Sequence, residues 1–123
     1  MLGKVRIAAA AALLAISTPA FAQIPGDLVG DWSSDREKCE DNQAEGVTVF
    51  SLRRSTVSWY EIDCDHLRAA PAASGLSFVG RCVKGGGVRH PARIGIKRVN
   101  REILHITIRG MDRIDDVFFR CKK

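Results

Sequence analysis

Four cysteines, three histidines and one compact acidic run are the residues of this chain with chemistry beyond packing. Asp63-Cys64-Asp65-His66 brings two carboxylates, a sulfur and an imidazole into four consecutive positions. Metals take that donor set, but at a strand end beside a disulfide cysteine it reads as polar residues facing water. His90 and His105 stand alone in the sequence, with no serine or carboxylate in a recognisable acid–base arrangement. Neither a G-x-S-x-G elbow nor an H-E-x-x-H helix is present. Gly85-Gly86-Gly87 resembles a phosphate loop in composition alone. Val88-Arg89-His90-Pro91 follows it, where a phosphate cradle needs a helix N-terminus carrying Lys and Ser or Thr. The expectation is a protein that is not an enzyme, with no catalytic residue, no metal and no cofactor.

The cysteines are better read as structure. Cys39, Cys64, Cys82 and Cys121 are separated by 24, 17 and 38 residues, with no C-x-x-C pair to begin a zinc knuckle or a redox centre. An even number in a small exported chain implies two disulfides. Three pairings are possible. The strand pattern favours Cys64 with Cys82, at facing ends of successive strands, and Cys39 with Cys121, which would tie the ends of the domain together.

Export is read from the first 22 residues. Lys4 and Arg6 precede the uncharged run Ile7–Ile16, and Ala20-Phe21-Ala22 has the small-x-small form of a signal-peptidase site. Ten apolar residues are too few to span a bilayer, which takes about 20. The expectation is a bacterial Sec-type signal peptide over 1–22, a periplasmic or secreted protein, and one domain over 23–123. Removing Lys4 and Arg6 leaves 17 basic against 14 acidic residues, so the net charge falls from +5 to +3. That is not the charge of a polybasic nucleic-acid binder, and export separates the chain from nucleic acid in any case.

The mature part must position its side chains with strands. Gly30–Ser33 opens the first, residues 35–46 form a polar loop, and Val47–Leu52 and Thr56–Cys64 read as a hairpin turned by Arg53-Arg54-Ser55. Residues 65–75 read as a connecting loop. Leu76–Lys84 returns as a strand, with Gly80 at a bulge or a close approach of backbone. Residues 93–99, Ile103–Arg109 and Ile114–Arg120 complete about seven strands, separated by turns at Asn100-Arg101 and 110–113. Leu104, Ile106 and Ile108 alternate with His105, Thr107 and Arg109, as in a sheet with one dry face. The fold class expected is an all-β antiparallel meander closing into a small barrel or sandwich, since closure removes exposed edges.

Gly30-Asp31-Trp32 at the mouth of the first strand resembles the G-x-W signature of lipocalins and smaller calycin-like proteins. The resemblance implies a small antiparallel barrel with the tryptophan closing its base. In build the chain is also similar to small periplasmic inhibitors of proteases and lysozymes. Neither resemblance carries a functional residue across by position.

For binding, parity places Trp59 with Val57 and Glu61, opposite Tyr60 and Ile62, so one of the two adjacent aromatics must leave the core. Phe118 shares its face with Asp116 and Arg120, which would expose it. Basic residues gather from Arg89 onward. Trp59, Phe118, Arg93, Arg98 and Arg101 are therefore the candidate partner-binding residues, for an envelope protein, a lipid or a glycan. The function expected is a non-catalytic envelope binding module, with hydrolase inhibition as a specific role within that class; the alternative is a calycin-type carrier of a small apolar ligand.

Overall fold

A computed structural model describes residues 21–122, and the expected signal sequence lies outside the described residues except for Phe21 and Ala22. Eight antiparallel strands follow in chain order: β1 (Gly30–Ser33), β2 (Val49–Leu52), β3 (Val57–Trp59), β4 (Ile62–Ala69), β5 (Leu76–Lys84), β6 (His90–Asn100), β7 (Ile103–Arg109) and β8 (Ile114–Arg120). Each pairs with the next, and β8 returns to β1, closing the barrel. Closure leaves no unpaired sheet edge for another chain to extend.

Two sequence expectations change. The run Thr56–Cys64 is two strands, because the chain reverses at Tyr60-Glu61 and pairs Trp59 with Ile62. Tyr60 takes φ of 54° there, a conformation usually given to glycine. The polar stretch after Cys64 is not a loop, since β4 continues to Ala69 through an irregularity between Asp65 and Arg68. His66, with φ of 52°, supplies the extra residue. A bulge shifts side-chain parity by one, so Cys64 and Leu67 both point inward although three positions apart. Gly80 makes room for this. A Cβ on it would stand 2.9 Å from Leu67 Cδ2, so the close approach is at Gly80 and the bulge is on the facing strand.

The interior is filled with side chains. Phe50 packs against Trp59 with ring centroids 5.1 Å apart and edge-on against Phe118 at 4.8 Å, and Ile94, Leu104, Ile106 and Ile108 complete the far wall. Burying a large aromatic ring removes about 150–250 Å² from water, so these rings dominate the core. At one mouth the segment before β1 acts as a plug. Ile24 and Leu28 are buried, and the Ile24 amide donates to the Arg54 carbonyl at 2.7 Å. Trp32 sits beneath them, donating from Nε1 to the Leu28 carbonyl at 2.9 Å, with the Arg120 guanidinium 4.3 Å above its ring. At the opposite mouth Trp59 Nε1 donates to Asp112 at 3.3 Å.

Both disulfides have the expected pairing. Cys64–Cys82 joins directly opposed residues of β4 and β5 inside the barrel, and Cys39–Cys121 joins the 34–48 loop to the residue after β8.

Candidate binding surfaces

Trp59 and Phe118 are not contact residues in this structure: each is only 2 % exposed. Their physical reasons differ. The turn at Tyr60-Glu61 resets parity, so Val57, Trp59 and Ile62 all face inward, and Tyr60 is the aromatic left outside, 42 % exposed. In β8 the alternation is as expected but its two faces are exchanged. Phe118 opposes Leu104 and faces the core, while Phe119 opposes Ile103 and faces outward. Asp116 and Arg120 share the face of Phe118 but reach solvent at the strand's ends, so their polarity does not turn Phe118 outward. Cys121 bonds to a loop that lies outside the barrel wall.

That loop builds one side of a groove. Ser33 is buried where β1 ends, and its hydroxyl donates to the Lys38 carbonyl while accepting from the Asp35 amide at 3.1 Å. Asp35 accepts from the Glu37 amide at 2.9 Å, and Asn42 Oδ1 accepts from the Glu45 amide at 3.3 Å. Short polar side chains thus satisfy backbone donors that have no ladder to join. With Cys39 bridged to Cys121, the loop is held so that Arg36 stacks 4.5 Å above the ring of Phe119.

Phe119 and Ile103 form the half-buried apolar floor of this groove, which encloses ≈ 950 Å³. Arg36 and Cys39 wall one side and the β6–β7 turn, Asn100 to Glu102, walls the other, with Arg120 and Lys122 at the end. Arg120 is fixed over Trp32, by donating from Nη2 to the Asp27 carbonyl at 2.9 Å, and by donating from Nε and Nη2 to the Arg101 carbonyl at 3.3 and 3.2 Å, with Glu102 4.0 Å from its Nε. Charge-assisted bonds to carbonyls hold it more firmly than an exposed ion pair would.

Of the basic candidates, Arg101 lies in this groove. Arg98 lies on the adjoining rim, where its Nη2 donates to both carboxylate oxygens of Asp27, at 3.0 and 2.9 Å. Arg93 lies elsewhere, on the outer wall in the middle of β6, opposite Arg109. Sequence reasoning missed Arg36, Ile103, Phe119 and Arg120. The signal for Phe119 was available: Ile103 and Phe119 are out of phase with the apolar alternation of Leu104, Ile106 and Ile108.

The acidic run around Cys64 is occupied by its own neighbours. The Cys64 sulfur is bonded to Cys82, and Asp65 accepts from Arg89 at 2.9 Å and lies 2.8 Å from His66 Nδ1. His105 Nε2 contacts Asp115 on the outer wall. No protein-family model, curated protein or solved structure matches this chain.

Proposed function

We propose that this chain is an exported, non-catalytic binding module of the bacterial cell envelope, acting through the groove over Phe119. One observation carries the reading: an apolar floor of Phe119 and Ile103 is left open within a charged frame in which Arg36, Arg101, Arg120 and Lys122 outnumber Glu37 and Glu102. An apolar anchor within a polar rim is the usual anatomy of a protein-recognition site. The charge of the frame selects a partner segment bearing acidic residues around a hydrophobic one. A hydrolase whose substrate cleft carries such a segment fits, and the protein would then be its inhibitor.

Export is supported by the two disulfides, which persist in oxidising compartments. The carrier reading has less behind it, because Trp32, Phe50, Trp59 and Phe118 occupy the space a ligand would use.

The test is site-specific photo-crosslinking from position 103 in cells of the source organism. A discrete crosslinked envelope protein, lost in the variant F119D/R101E, is the expected result. Assays of that protein's activity with and without the purified chain then decide inhibition. A crosslinking pattern indifferent to the double variant would remove the groove from consideration.

A further inference from the structure

The outer wall of β5, β6 and β7 carries a second feature, on a different face from the Phe119 groove. In register across adjacent strands lie Arg68, Val79, Arg93 and Arg109, a line that places Arg93 and Arg109 directly opposite one another. Like charges facing each other across a strand pair oppose folding. Among the described residues neither guanidinium has a carboxylate within ion-pairing distance. The next line of the sheet is Ser77, Gly95 and Thr107, and the one after that pairs Lys97 with His105. Gly95 has no side chain and the Thr107 hydroxyl leans over it; beside them a depression of ≈ 340 Å³ opens, lined by Ser74, Ser77, Thr107, Lys97 and His105 with Leu76 at its edge. A Cβ on Gly95 would stand 2.3 Å from Thr107 Oγ1, so any larger residue fills the space or displaces the threonine.

A hydroxyl-lined hollow holding one lysine, with the unpaired Arg93 and Arg109 on the next line of the sheet, is complementary to an ionised group borne on a hydroxylated chain. We infer that this face binds an acidic polysaccharide, its carboxylate seated against the Thr107 hydroxyl between Arg93, Arg109 and Lys97. Three features of the face favour that occupant. Among the described residues its one exposed aromatic ring is Phe21 beside Arg68, at the far end of the line and before the expected cleavage point, so the mature face offers no ring to anchor a protein or to stack a nucleic-acid base. Ser77 and Thr107 can both donate to and accept from sugar hydroxyls. The cations follow a line around the curved wall, which a flexible chain can track and a flat lipid surface can meet at one point only. Asp115, the nearest carboxylate, opposes Thr107 in β8 and is held by His105. It bounds the site on that side and favours a ligand whose charges are spaced along a chain over one with charge all round.

Titration calorimetry of the full mature chain with hexagalacturonate tests this. Binding should weaken with added salt, as for partly exposed charges, and a neutral glucose hexamer should not bind. R93A and R109A should each raise Kd about tenfold or more, the loss of one charge-assisted contact. Lys84 carries its charge beside Tyr60 at another part of the surface, and K84A should leave Kd unchanged. G95A changes no charge and should abolish binding if the hollow is the seat; thermal melts of all variants establish that each is folded. The proposal is overturned if hexagalacturonate does not bind, if K84A weakens binding as much as R93A, if folded G95A binds normally, or if phosphatidylglycerol vesicles bind more tightly than the hexamer. F119D should bind the hexamer like the parent, which separates this site from the groove.

Discussion

The two sides of the barrel are built differently. From β4 to β8 the strands have 8, 9, 11, 7 and 7 residues, while β1, β2 and β3 have 4, 4 and 3. The long side is a continuous ladder whose backbone groups satisfy one another. The short side closes with two residue pairs at the β1–β8 seam, Trp32 with Arg120 and Ser33 with Phe119. It depends on additions that are not strands: the Ile24–Leu28 plug, the 34–48 loop and Cys39–Cys121. Both candidate surfaces follow from this contrast. The groove is made where loop and disulfide cover a short seam, and the arginine face is made where long strands bring distant residues into register.

The disulfides give the largest test of that contrast. In the loop-closure description a bridge spanning 82 positions contributes about 4–5 kcal/mol and one spanning 18 about 3. C39A/C121A should therefore lower the unfolding free energy by about 4–5 kcal/mol in urea. Its amide exchange should rise first at β1, β2 and the β8 end, with β6 and β7 still protected. C64A/C82A removes a bridge between strands already paired through a long ladder, so its effect should spread evenly with no selective loss at the seam. Preferential opening of the seam in C64A/C82A would show that the two sides are one cooperative unit.

Adjacent residues of β8 sharpen the contrast between inside and outside. Phe118→Ala empties space beside Phe50 and Leu104 and should cost about 3–5 kcal/mol. Phe119→Ala loses a half-exposed ring and its contact with Arg36, worth about 1 kcal/mol or less. Equal losses in thermal or urea unfolding would mean that the groove floor is part of the core.

How much of this could be read from the chain differs between the two sides. The bounds of β1, β5, β7 and β8 were legible because glycine or polar turns bound them; the faces of β8, where Phe118 and Phe119 are adjacent, were not. The disulfide pairing was legible because Cys64 and Cys82 end up facing each other on neighbouring strands. Two positive-φ residues that are not glycine hid the rest. Tyr60 makes a turn without a turn residue, and His66 makes a bulge that breaks the alternation by which β4 would have been recognised. Both shifts fall next to Trp59 and Cys64, which is why Trp59 appeared exposed and residues 65–69 appeared to be loop. The groove could not be read, since it depends on the 34–48 loop folding back over β8, a long-range contact held by one disulfide.

The smallest expected effect concerns the arginine face and runs against the usual direction of mutations. Replacing Arg109 by Glu turns a facing pair of like charges into an attractive one, and such cross-strand pairs are worth about 0.2–1 kcal/mol. Both side chains are exposed, so the gain should be near the lower end and should fade in high salt. R109E should therefore unfold at slightly higher urea than the parent in dilute buffer and at the same urea in molar salt. If Arg93 and Arg109 face each other in order to hold an anion, the same substitution that stabilises the fold should abolish binding of hexagalacturonate. A gain in stability with binding retained would mean that the paired arginines are a cost the sheet carries without using it; a loss of stability would mean that each guanidinium already has a partner that compensates it.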